Sequence, residues 1–154
     1  MPIHNRRKFL LNTAAIAAGS VLISSPVKAS PQKKWTVGEI IDLFLKEING
    51  APFPKTVDTL KSGSRDNEVT GVVTTMFATI EVVKKAIAEK ANFIIAHEPT
   101  FYNHTDETDW LKDDSVYKYK EALLKDNNIT VWRNHDYIHS HKPDGVMDGV
   151  AEKL

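Results

Sequence analysis

The sequence predicts an α/β fold: a parallel, or mixed, sheet with helices packed on its faces. Three observations lead there. Short apolar or β-branched runs at 69–77, 93–96 and 129–133 alternate with amphipathic segments of helical period. The spacing between those runs suits parallel strands joined by right-handed helical crossovers. The chain has 154 residues, 42% hydrophobic and 26% charged, which is enough apolar material for one core.

Residues 1–29 stand apart. They carry Arg6, Arg7, Lys8 and Lys28 and no acid, so they are +4 while residues 30–154 are −4, and the whole is neutral. Phe9 to Ile23 is apolar and Ala-rich but shorter than the roughly 20 residues of a membrane-spanning helix. Val27-Lys28-Ala29 offers a small-x-small cleavage site, so 1–29 reads as a signal peptide. Arg6-Arg7 followed by Lys8-Phe9-Leu10 resembles a twin-arginine export signal. The expectation is an exported, periplasmic protein with no stable membrane anchor, its α/β domain occupying 30–154.

Ser30 to Lys34 is a polar linker. Thr36 and Glu39 form a capping box, and Ile40, Ile41, Phe44, Leu45 and Ile48 recur at helical spacing, which predicts a helix from Val37 to about Ile48, stopped at Asn49-Gly50. Ala51 to Asn67 holds Pro52, Pro54 and Gly63 and reads as mostly loop. Val69 to Phe77 reads as a strand. Thr79 caps a helix whose apolar positions are Ile80, Val83, Ala86 and Ile87. Phe93 to Ala96 is a second strand, and His97 to Asp113 a long polar loop. Asp114 or Ser115 opens a helix with Val116, Tyr119, Leu123 and Leu124 on one face. Ile129 to Arg133 is a third strand, Asn134 to Asp144 a polar loop, and Val146 to Leu154 the start of a helix.

The chemistry is bounded first by exclusion. There is no cysteine, hence no disulfide, thiolate metal site or cysteine nucleophile. Neutral charge and the lack of a basic stripe argue against a nucleic-acid partner. No GxSxG, P-loop, GxGxxG or HExxH motif is present. Five of the six histidines fall between His97 and His141. In parallel sheets ligands bind beyond the carboxyl ends of the strands. His97-Glu98 follows the second strand and His135-Asp136-Tyr137-Ile138-His139 follows the third, so adjacent strands would bring them together. Imidazoles and carboxylates at one point suit a divalent zinc, manganese, iron or nickel ion. The candidate ligands are His97, Glu98, His135 and His139. Asp136 either orients His135 or handles a proton, and Glu98 could orient His97 instead of binding. His135 and His139 share a face if that segment turns helically. A lone histidine after a strand is commonly just a cap or a half-buried polar group. His141 is expected in solvent, while His104, Asp106 and Glu107 are expected either to cap the Trp110 segment or to touch a ligand.

Several stretches, taken together, resemble one family. They are Asp58 to Gly63 (DTLKSG), Thr70 to Val73 (TGVV), Ala78-Thr79, Asn92 to Pro99 (NFIIAHEP), Val131 to His135 (VWRNH) and Gly145 to Asp148 (GVMD). This pattern resembles the Nif-three-like dinuclear metal-centre family, whose members are known as GTP cyclohydrolase 1 type 2 homologues. The family has His-His-Pro where this chain has His97-Glu98-Pro99, and a metal-binding Asp where it has His139. The resemblance implies an α/β fold, a divalent metal site and a homo-oligomer. It also implies a longer chain, in which a distal His-x-x-x-Glu pair completes the centre, so 30–154 reads as an N-terminal portion. The function it suggests is a metal-dependent hydrolase of a nucleotide-like or other small molecule. The alternatives are a non-catalytic metal-binding or scaffold module, or a truncated inactive fragment.

Overall fold

The computed structural model of the protein describes residues 33–154, and the expected signal peptide at 1–29 lies outside the described residues. The elements are α1 (Val37–Lys46), β1 (Leu60–Ser62), β2 (Val72–Thr75), α2 (Ile80–Ala88), β3 (Phe93–Ala96), a 3-10 turn (Asp109–Leu111), α3 (Ser115–Asp126), β4 (Thr130–Arg133), α4 (Asp136–Ser140) and α5 (Gly145–Ala151). The strands form one sheet in the order β1-β4-β3-β2. β2, β3 and β4 run parallel, and β1 pairs antiparallel with β4. Among the described residues no helix is long and apolar enough to cross a membrane.

The two central strands are buried along their whole length. Successive side chains of a strand point to opposite faces, and two cores result. Ile94, Ala96 and Val131 face Val83, Ala86 and Leu124 of the crossover helices α2 and α3. Phe93, Ile95 and Trp132 face Val37 and Ile41 of α1 and Tyr137 of α4. This double burial explains why β3 and β4 read as continuous apolar runs.

Local chemistry sets the helix ends. The capping box forms as expected: the Glu39 N–H donates to the Thr36 hydroxyl at 3.2 Å and the Thr36 N–H to the Glu39 carboxylate at 3.0 Å. The helix ends at Lys46, and Ile48 lies in the following turn, still buried. The Thr79 hydroxyl caps α2 and the Asp114 carboxylate caps α3.

Five expectations need correction. The first strand is shorter than 69–77, because the Val69 N–H is taken by the Trp35 carbonyl at 2.8 Å and Glu68 bridges Thr36. The stretch read as loop before it contains β1, a three-residue edge strand. The predicted apolar face of α3 is only half right: Leu124 is buried, but Val116 and Tyr119 are exposed. The 134–144 loop contains the short helix α4. The last helix stops at Ala151, its start fixed by the Asp144 carboxylate, which accepts from the Val146 and Met147 N–H groups.

α4 has no capping side chain of its own, since His135 at its N-cap makes no cap bond. The buried carboxylate of Asp58 does that work from far away in sequence. One oxygen accepts from the His135 N–H at 2.8 Å and the other from the Tyr137 N–H at 2.7 Å. The Asp58 carbonyl also accepts from the Trp132 indole N–H at 3.3 Å.

Gly63 ends β1 at φ +77°, and a Cβ there would lie 2.7 Å from the Thr130 Cα. Gly63→Ala is expected to cost about 2–4 kcal/mol, from the left-handed backbone and the overpacking together. A urea unfolding curve checks it, and a loss below 1 kcal/mol would mean β1 gives way freely. Asp58→Asn replaces one of two acceptors with a donor facing a donor. It is expected to cost about 1–3 kcal/mol and to raise amide exchange selectively at His135 and Tyr137.

Candidate metal centre

The carboxyl ends of β3 and β4 are level, because Ala96 is the register partner of Arg133. The chain leaves both strands at the same rung. The His97 N–H still donates to Thr75 of β2 at 3.0 Å, and the Asn134 N–H to Ala96 at 2.9 Å, so the first loop residues are held like strand residues. One turn of α4 then carries His139 back over His135, its N–H donating to the His135 carbonyl at 3.2 Å.

Three imidazoles meet as a result. His97 stacks on His135 with ring centroids 4.8 Å apart, and His139 stands edge-on to both, at 5.1 and 5.0 Å. One nitrogen from each lies within 4.8 Å of the other two. The Nδ1 atoms are all spoken for. That of His97 faces the Asn134 carbonyl at 3.2 Å, that of His135 the Asp136 carboxylate at 3.0 Å, and that of His139 the Asp144 carboxylate at 2.8 Å. All three partners are acceptors, so in the neutral rings they favour the tautomer with the proton on Nδ1 and the lone pair on Nε2. This is the arrangement by which outer oxygens fix the tautomer of metal-binding histidines.

The donor set fits a borderline divalent ion. Its widest nitrogen separation, 4.8 Å, exceeds the roughly 3–4 Å that two nitrogens take on one zinc ion at bonds of about 2.0–2.1 Å. It is within reach of a small side-chain closure, or of a pair of ions about 3.5–4 Å apart.

The other candidates take different places. Glu98 stands outside the trio. Its carboxylate lies 3.6 Å from the buried Arg133 guanidinium, whose charge it offsets. Asp136 is an orienting group whose oxygens are occupied: Oδ1 accepts from His135, and Oδ2 from the Thr56 hydroxyl at 2.8 Å and the Val57 N–H at 3.1 Å. That leaves it poorly placed for the proton-handling role read from the sequence. Burial pushes the Asp136 carboxyl up, but these hydrogen bonds outweigh it and hold the group below its ordinary range. The bond from His139 and the cap N–H of Met147 likewise hold Asp144 low. His141 turns its Nδ1 to the Pro143 carbonyl, away from the trio.

His104, Asp106 and Glu107 do not cap the Trp110 segment, whose N-cap Thr108 makes no side-chain cap bond. Asp106 instead organises the long loop, accepting from the Thr100 and Phe101 N–H groups and pairing with Lys61 at 3.5 Å. Arg133 ties that loop to β4 by donating to the carbonyls of His97 and His104 and to the His104 ring. The sequence reading missed Asp58, Asn134 and Asp144 as positioning groups. Asp58 and Asn134 lie within the family-like stretches, and Asp144 sits just before a helix.

Comparison with known proteins bears on the family and the fold. The chain is 39% identical over 90 residues to a Mycoplasmopsis pulmonis protein named "GTP cyclohydrolase 1 type 2 homolog", covering 56% of this chain and 34% of that one. A Clostridium acetobutylicum protein of the same name is 30% identical over 95 residues, covering 62% and 34%. The chain thus spans about a third of the length of the curated relatives it matches. Among solved structures, a Bacillus cereus protein related to NIF3 superposes with TM-score 0.64 at 29% identity, over 79% of this chain and 32% of that one. Reduced HcgD from Methanocaldococcus jannaschii shares the fold, with TM-score 0.63 at 23% identity over 78% and 47%. The family model described as Duf34/NIF3 (NGG1p interacting factor 3) matches residues 57–154, which hold β1 to α5 and all three convergent histidines. On that match, the chain belongs to the DUF34/NIF3 family.

Proposed function

We propose that His97, His135 and His139 hold a divalent metal ion in a metal-dependent hydrolase acting on a nucleotide-like or other small molecule. One observation carries this reading: three imidazoles each bring a nitrogen within 4.8 Å of the other two, and an oxygen acceptor faces the Nδ1 of each, which favours the tautomer that leaves Nε2 for an ion. Three protein nitrogens leave coordination positions open, which favours a catalytic site over a closed four-ligand structural one. When bound, the ion supplies Lewis acidity and makes a water molecule easier to deprotonate.

The protein's own part is to hold the ligands. Asp136 and Asp144 fix the rings of His135 and His139, the Asn134 carbonyl fixes that of His97, and Asp58 anchors the helix beneath. Self-association and contributions from the rest of a longer chain belong to the same proposal, as does export. Arg6-Arg7 ahead of an apolar stretch supports a periplasmic location.

Zinc titration calorimetry tests the centre. His97→Ala with His139→Ala is expected to abolish uptake, while His4→Ala and His141→Ala leave it unchanged. Undiminished stoichiometry in the double variant would place the site elsewhere. Asp144→Ala is expected to weaken binding about 10- to 100-fold by freeing the His139 ring. Acid should release the ion, because a protonated ring cannot ligate. For export, Arg6→Lys with Arg7→Lys should retain an uncleaved precursor in the cytoplasm. Continued export in fractionated cells would indicate the general secretion route.

A further inference from the structure

The two edges of the sheet differ. At β1 the register with β4 is interrupted, and Lys61 points inward, its side chain 7% exposed and paired with Asp106 at 3.5 Å. Interrupted register and inward charge are ways in which proteins keep an edge from pairing. β2, the opposite edge, has neither. Val72-Val73-Thr74-Thr75 is uncharged, β-branched throughout and in unbroken register with β3. Val72 is 46% exposed.

The open hydrogen-bonding groups of β2 follow from its pairing with β3. The Phe93 N–H donates to the Gly71 carbonyl at 3.1 Å and the His97 N–H to the Thr75 carbonyl at 3.0 Å. Alternate residues of a strand turn their backbone groups to the same side. Gly71, Val73 and Thr75 therefore serve β3, and Val72 and Thr74 turn theirs to the open side. A groove of about 240 Å³ runs between β2 and the Val82, Lys85, Ala86 and Glu89 face of α2. Lys85 and Glu89 are exposed, and neither forms an ion pair among the described residues.

We infer that the β2 edge pairs antiparallel with β2 of a second copy of this chain, about a two-fold axis perpendicular to the sheet. The inference rests on the self-association proposed above and gives it a surface. A second copy fits because the edge is complementary to itself. With the axis at Val73, Val72 meets Thr74 of the second copy and Thr74 meets its Val72. The two open N–H groups of each strand then find the two open carbonyls of the other. The same axis keeps both α2 helices on one face of the joined sheet. α2 packs over β2 and β3, so at a strand spacing of about 4.8 Å its axis lies about 5 Å from the two-fold. The two helices then run antiparallel about 10 Å apart, a helix-packing distance. Lys85 of each copy lies opposite Glu89 of the other. A helix face with a cation and an anion one turn apart is matched by its own reversed copy.

One short strand and one helix face make a small interface, so the dimer is weak. Sedimentation velocity of the purified protein from about 1 μM to 1 mM is expected to show a dimer that grows with concentration. Lys85→Glu and Glu89→Lys each set like charges across the axis, and each is expected to raise the dissociation constant at least about tenfold. The two changes together restore opposite charges and should restore the dimer. The chain has no cysteine, so Val73→Cys supplies a single thiol, and diamide is expected to link two copies through it. A monomer throughout the range overturns the pairing and self-association together, and leaves the edge to a strand from the rest of a longer chain. An oligomer that the single reversals do not weaken, or that the double reversal does not restore, overturns this surface while self-association stands, as does an oligomer whose Val73→Cys form stays unlinked. Zinc uptake measured on the same samples judges the metal centre separately.

Discussion

The buried carboxylate of Asp58 is the constraint on which the site depends. A five-residue helix has little stability of its own, because nucleation costs more than so few hydrogen bonds return. α4 exists because Asp58 takes the N–H groups of His135 and Tyr137 at its open end. Tyr137 then packs into the core beside Trp132 and Phe93, and its hydroxyl accepts from the Phe53 N–H. With one end gripped and one face buried, the remaining face presents His135 and His139 a turn apart. The segment before β1 is therefore part of the centre, although none of its residues reaches the ligand nitrogens.

Buried charge does comparable work on the other side. Arg133 is fully buried at the end of β4, and donates to two carbonyls and a ring of the 97–113 loop while facing Glu98. Burial pushes the Lys61 amine down from the usual lysine range, and Asp106 opposes that by pairing with it. Lys120 is likewise lowered by burial; it donates to the Thr100 carbonyl and lies over the Phe101 ring. A loop this long and polar is shaped by cations that enter it from β1, α3 and β4. Each cation is held by acceptors the loop provides, as buried ionic groups require.

These two devices show what could be read in advance. β3, β4 and the capped helices were legible because their signals are local: an apolar run, or a Thr or Asp followed by helical spacing. The meeting of His97 with His135 was legible through topology, since both follow parallel strands. β1 was not, because Leu60-Lys61-Ser62 is short, and its place follows from the close approach of Gly63 to Thr130. α4 was not, because its cap lies far off in the chain. The exposure of Val116 and Tyr119 went unseen for a similar reason: residues on one side of a helix by period still need something to pack against. Glu98 drew attention as a neighbour of His97, but the nearest demand on its charge was Arg133.

The level ends of β3 and β4 give the centre an index. Each strand residue advances the chain about 3.3 Å and reverses the side chain's face. Adding or removing one residue within either strand would therefore carry a histidine out of range and turn it toward the opposite layer. Residues added within the 97–113 loop, between its fixed ends, change no such count. The spacing of the ligands is thus written in the rungs of the sheet, and the loops are free to diverge around a point that the ladder keeps still.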